Sequence, residues 1–213
     1  MLTAALLSTL VLASALLDIR AEHLGERRRV YVFKPLTTAL IILFALQGTN
    51  AASGAYRALV VAGLVCSLVG DVFLMLPRDR FVTGLLSFLF AHLCYIAAFM
   101  LDGWRVSGWA AAAFTVYGFR MLSLLWPRLG KLKVPVVVYV FVIMLMAVEA
   151  SSRWLAVGGR ASAAACAGAV LFVVSDSALA WNRFVDGFRY AQLLILGTYF
   201  AAQWLIALST WNF

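Results

Sequence analysis

The chain is predicted to be an all-α polytopic membrane protein, and three observations predict it. Apolar residues fill 65% of its 213 positions and charged residues only 12%. That composition leaves too little polar surface to keep a soluble domain dispersed. The apolar residues come in continuous runs of about 20, the length needed to cross a hydrocarbon core roughly 30 Å thick. Nearly all of the 17 basic residues fall in the short gaps between these runs, where topology signals and contacts with anionic head groups belong. The net charge of +8 is therefore a membrane-surface feature, and nucleic acid is not an expected partner.

Eight spans are expected, taken here in chain order. Span 1 (2–17) resembles a signal peptide but lacks a basic leading region and runs into a charged loop, so it is expected to be a retained helix. Span 2 (33–49) begins beside Lys34, and span 3 (57–76) carries Asp71 five residues before its end. Span 4 (82–101) has His92 near its middle with Tyr95 one turn on. Span 5 (104–125) contains Arg120, and span 6 (134–150) contains Tyr139 and Glu149. Span 7 (161–181) holds Asp176, and span 8 (188–210) holds Tyr199 and Gln203 at i, i+4. The runs are continuous rather than alternating, which favours helices over a barrel, since each span must satisfy its own backbone. Cys66, Cys94 and Cys166 all lie inside runs, an odd set with neither disulfide framework nor metal spacing.

Orientation follows from the basic residues. Twelve lie in the loops after odd-numbered spans: Arg20, Arg27, Arg28, Arg29, Lys34, Arg78, Arg80, Arg128, Lys131, Lys133, Arg183 and Arg189. Four lie in the opposite loops: Arg57, Arg105, Arg153 and Arg160. With eight spans, both termini are expected to face outward and the basic loops the cytoplasm.

The chain also repeats itself. RFVTG at 80–84 returns as RFVDG at 183–187, VGD ending at Asp71 as VSD ending at Asp176, and FKP at 33–35 as KVP at 133–135. The expectation is a single transmembrane domain over 1–213 made of two parallel four-helix halves, 1–103 and 104–213, related by an axis along the membrane normal. Asp71 and Asp176 would then occupy equivalent positions.

Ionisable groups inside a membrane are costly, so each is a functional candidate until a bland role explains it. Arg120 and Glu149 lie near enough to span ends to snorkel. Asp71 and Asp176 lie deeper, about one and a half turns in, and a structural role for them would be pairing, for instance with Lys34. For His92, Tyr95, Tyr139, Tyr199 and Gln203 taken singly, an interhelical hydrogen bond is the plain reading. Together with the acids they describe a polar interior on the cytoplasmic side. Asp71, Asp176 and His92 could in principle hold a metal, but one histidine and no local ligand motif argue for none. No cofactor loop or nucleophile signature is present.

KPLTT (34–38), SLVGDVFLML (67–76), FLFAHLCYIAAF (88–99), VPVVVYVFVIM (134–144), LFVVSDSALAWNRF (171–184) and TYFAAQWLI (198–206) together resemble the YhhN family of membrane proteins, which includes the lysoplasmalogenases. The resemblance runs from about residue 30 to the end. It implies an eight-helix hydrolase that cleaves the vinyl ether bond of a lysoplasmalogen, a lysophospholipid in the bilayer. The products are a fatty aldehyde and glycerophosphoethanolamine or glycerophosphocholine. By similarity, Lys34, Asp71, His92, Tyr95, Tyr139, Asp176, Asn182, Tyr199 and Gln203 are the candidates to line or support the site, and the expected location is a bacterial inner membrane with the site open to the cytoplasm.

Enol ether hydrolysis needs a carboxylic acid to protonate carbon and a carboxylate to stabilise the resulting cation or activate water, the logic of two-carboxylate glycosidases. Asp71 and Asp176 are the expected pair, with Lys34 and the basic loops holding the phosphate. A transporter with paired acids is the alternative reading, and a non-catalytic lipid-binding protein is a third.

Overall fold

The computed structural model describes residues 2–48, 54–77 and 80–211; Arg78, weighed above for orientation, lies outside them. Eight α-helices follow one another: α1 (Leu2–Leu24), α2 (Arg27–Leu46), α3 (Gly54–Met75), α4 (Phe81–Phe99), α5 (Gly108–Leu125), α6 (Lys133–Val157), α7 (Arg160–Phe184) and α8 (Ala191–Leu208). Two short 3-10 turns join α5 to α6. Among the described residues there is no strand.

Seven of the helices are long and apolar enough to cross a membrane. The exception is α5. A span over 104–125 was expected, but residues 101–107 form turns and coil; the helix has the same 18 residues as α8 but is less apolar, with the charged Arg120 inside it. Other helices outrun the apolar stretches that announced them. α1 continues to Leu24 and α6 to Val157, because backbone hydrogen bonding does not stop where hydropathy falls. α1 ends where Gly25 turns left-handed at φ 70°; the Glu26 amide then reaches back to the Ala21 carbonyl at 2.9 Å and the Gly25 amide to Glu22 at 3.2 Å, a Schellman-type stop that only glycine adopts without strain. The extension of α6 also corrects the reading of Glu149. It lies two turns inside the helix end and is 2% exposed, so it does not snorkel, whereas Arg120 is exposed.

Among the described residues, consecutive helices pack against one another except at α4 and α5, and α4 lies against α6 and α2 against α8. The α3–α4 contact is close because α3 is smooth where α4 is bulky. Gly63 lies under the Tyr95 ring and Gly70 under Phe88, leaving no room for a Cβ at either. In α7 the Gly168 position meets the Ala202 carbonyl of α8. Small residues that let backbones approach are the usual device where lipid removes the hydrophobic drive between helices. One continuous apolar core results, through Ile41, Phe44, Leu64, Phe99, Phe172 and Ile206.

The two ends of the bundle differ. At one end, Arg153 grips Asp102 (2.8 Å) and lies over the Tyr56 ring, while the Tyr56 hydroxyl meets Ser209 at 2.7 Å. At the other end are the C-terminal turns of α1, α3 and α7, the two acids and several cavities.

Candidate active site

Asp71 follows Gly70, so the close α3–α4 approach buries it to 1% exposure. Thr38 of α2 and Tyr199 of α8 each donate a 2.7 Å hydrogen bond to the same oxygen, Oδ2. Lys34 Nζ stands 3.9 Å from the other oxygen, Oδ1, with its side chain 11% exposed. Lys34 and Thr38 share a face of α2 at i, i+4, which is why one helix supplies both the cation and a donor. Behind Tyr199 the chain continues: Gln203 Nε2 donates to its hydroxyl at 3.2 Å, and Tyr95 donates to Gln203 Oε1 at 2.7 Å. A buried carboxylate with two hydroxyl donors and a lysine is well supplied as an anion.

Asp176 is held differently. The Tyr139 hydroxyl of α6 donates a short hydrogen bond to Oδ2. His92 Nε2 of α4 lies 2.9 Å from that same hydroxyl and 3.7 Å from the carboxylate oxygen. Since Tyr139 spends its proton on Asp176, it accepts from His92, which puts the imidazole proton on Nε2. His92 Nδ1 has no hydrogen-bond partner, and its ring is stacked edge-on against Phe172 at 4.7 Å. Asp176 itself remains 16% exposed.

The two sets are cross-wired. Asp71 on α3 takes its hydroxyl donors from α2 and α8; Asp176 on α7 takes its partners from α6 and α4. Each acid is thus held by the helix before its own and by the helix after the other acid's.

The acids meet at one cavity of about 290 Å³, whose wall includes Lys34, Asp71, Asp176, Asn182 and Tyr199. A narrow apolar slot of about 60 Å³ adjoins it, lined by Tyr139, Val140, Met144, Leu125 and Phe184 and sharing Asp176 as a wall. A vestibule of about 360 Å³ carries Arg27, Arg80 and Arg183, and shares Glu22, Leu74, Phe81 and Arg183 with the cavity. Of the residues expected at the site, His92, Tyr95 and Gln203 are fully buried one layer behind it; His92 hydrogen-bonds Tyr139 close to Asp176, and Tyr95 and Gln203 connect to the site through Tyr199. Among the described residues, no three His, Cys, Asp or Glu side chains converge on a point that could hold a metal.

Three contributors were not anticipated. Thr38 is an unremarkable helix residue until its distance to Asp71 is known. Asp18 is 0% exposed, accepts no hydrogen bond at either oxygen, and has Lys34, Glu22 and Asp71 as charged neighbours. Glu22 stands one turn beyond it at the cavity wall. Both acids lie past the apolar run of span 1; reading that helix on to Gly25 as its stop signal would have included them.

A family model described as the YhhN family matches residues 30–210. The "Uncharacterized membrane protein YhhN" of Escherichia coli O157:H7 is 30% identical over 200 residues, covering 93% of this chain and 95% of that one. The protein named "Lysoplasmalogenase TMEM86B" from Homo sapiens is 38% identical over 157 residues, 74% of this chain and 65% of its own. Its namesake from Mus musculus is 36% identical over 179 residues, 83% and 72% respectively. No solved structure matches.

Proposed function

The chain belongs to the YhhN family, and from that premise we propose that it is a membrane-embedded hydrolase of lysoplasmalogens. The observation that carries the reading is the sequence of compartments: a basic vestibule, a cavity walled by two carboxylates, and an apolar slot that begins at one of them. An amphiphile with a phosphate head, a vinyl ether next to the glycerol and an alkenyl tail has the same order of chemistry.

Donor supply divides the roles. Asp71, with two hydroxyls and Lys34 directed at it, is the standing carboxylate. Asp176, with one hydroxyl donor and a face open to the cavity, carries the mobile proton. Asp176 protonates the vinyl carbon remote from oxygen, and the C=C pair forms the new C–H bond. The oxocarbenium ion left at the ether carbon is stabilised by the negative charge of Asp71. Water adds to that carbon and returns its proton to Asp176. The hemiacetal then expels the glycerol oxygen as an alcohol and leaves an aldehyde, so one water is consumed and the acid is regenerated. Tyr139 and His92 orient the Asp176 carboxyl, and Asn182 lies at the cavity wall near the glycerol.

The same proposal includes the four-plus-four repeat, supported by the cross-wired donors, and a cytoplasmic mouth, supported by the clustering of basic residues at the acid end. The test is aldehyde release by purified protein from a lysoplasmalogen, beside the saturated ether analogue, which has no double bond to protonate. The alkenyl substrate is expected to react and the saturated one to survive. In D2O the aldehyde should carry one deuterium on its α-carbon. Absence of aldehyde from the wild-type protein sinks the hydrolase; solute uptake by proteoliposomes without hydrolysis would put a transporter in its place.

A further inference from the structure

Gly118 sits on the seam between α5 and α6, and what lies over it is a wall of the apolar slot. It is buried in α5, and a Cβ there would meet Met144 Cγ at 3.0 Å, with Met144 Sδ and Val140 Cγ1 each at 3.6 Å. Met144 and Val140 both line the slot. Met144 thus rests in space that any larger residue at 118 would occupy. α5 itself has little freedom to make room. Leu125 is 0% exposed and packs with Leu129 and Val136, and the Tyr117 hydroxyl donates to Ser177 Oγ on α7 at 2.8 Å. Methionine is the side chain able to give, being unbranched with three rotatable bonds.

Met144 also marks where the slot stops. Along α6 the lining follows one face through Val136, Val140 and Met144, residues four apart on a helix, and Met144 is the last of them. It lies five residues beyond Tyr139, the donor to Asp176, or about 7 Å along the helix axis. α6 starts at the acid end of the bundle and carries Arg153 toward the other. A substrate whose phosphate stays in the basic vestibule therefore directs its chain past Asp176 and toward Met144. Resting on the lysoplasmalogen reading above, we propose that Gly118 and Met144 determine chain specificity. Gly118 gives Met144 a berth outside the slot, and so keeps the inner end open to chains that extend well beyond Asp176.

The test uses the full chain in mild detergent and two lysoplasmalogens with one head group, one whose chain ends short of Met144 and one whose chain reaches past it. The quantity read is the ratio of kcat/KM for the long chain to that for the short one. Gly118→Val is expected to lower this ratio about tenfold, the scale of a methylene-sized obstruction in an apolar pocket. Adding Met144→Ala, which removes the obstructing side chain, is expected to bring the ratio back toward the wild-type value. An equal loss on both chains, or no rescue by Met144→Ala, means that Gly118 only packs α5 and overturns the proposal. So does a rise in the ratio, which would mean that α5 has moved outward instead of Met144 inward. Binding without turnover is read with the saturated ether analogues of the same two chain lengths, from how far each raises the thermal unfolding midpoint. The long analogue should stabilise the wild type more than the short one, and the two should stabilise Gly118→Val alike. Equal stabilisation of the wild type overturns the proposal. Chain discrimination in binding without aldehyde from either substrate would leave Gly118 and Met144 in their role and remove the hydrolase.

Discussion

Asp71 on α3 and Asp176 on α7 are the same residue type and wall the same cavity, yet their surroundings are opposite in kind. Asp71 is sealed at 1% exposure, with Thr38, Tyr199 and Lys34 directed at its two oxygens. Asp176 has a single hydroxyl from Tyr139 and forms the partition between a polar cavity and an apolar slot. The difference lies in how many donors each acid has and in what it faces, and neither is visible in residue type. A carboxylate with a full set of donors has no reason to hold a proton. One with few donors and an open face is free to exchange it. Asp18, buried with no donor at all, extends the series to a third acid.

Substitutions of these three acids should separate them, from a large loss of stability to almost nothing. Asp71→Asn should have the greatest effect on the fold, because it leaves the Lys34 ammonium without the carboxylate beside it. Breaking one side of a buried pair costs about 3 kcal/mol or more, seen as a lowered thermal unfolding midpoint in detergent. Removing the cation as well, in Asp71→Asn with Lys34→Met, should restore part of that loss without restoring activity. Asp176→Asn should leave the unfolding midpoint close to that of the wild type and lower aldehyde release about 100-fold or more, the contribution of a positioned general acid. A variant that unfolds as readily as Asp71→Asn would mean that both acids are structural anchors. Asp18→Asn should change least, below about 1 kcal/mol in stability, since no hydrogen bond to that side chain is lost. If instead it costs as much as Asp71→Asn, the counter-ion of Lys34 is Asp18 and the ranking of the acids must be reversed.

The fold was legible because its signal is coarse. Runs of continuous apolar residues mark helices whatever the partner, and α3, α4, α7 and α8 stand within a few residues of their expected places. The ends of α1 and α6 were not legible, because hydropathy reports the width of the hydrocarbon and not the length of the hydrogen-bond ladder. Asp71, Asp176 and Lys34 stood out because a charge in an apolar run is conspicuous and the VGD and VSD stretches single out the two acids together. Tyr95, His92 and Gln203 were recognisable as polar interior, but only side-chain distances put them one layer behind the cavity. Thr38 could not be singled out, since threonine is commonplace in a helix and acquires meaning only from the oxygen 2.7 Å away. Glu22 was hidden by its position at a helix end, where an acid ordinarily faces water.

The end of the bundle remote from the acids is closed by the Arg153–Asp102 pair, the Tyr56–Ser209 hydrogen bond and the buried Tyr95–Gln203 layer above them. The cavity is therefore a well with a floor, and a well is refilled only through its mouth. Each proton spent by Asp176 and each water consumed would have to return from the compartment it left. The proposed reaction would thus carry no net charge from one face of the bilayer to the other. It would draw nothing from the transmembrane potential and be driven by the chemistry of the ether alone.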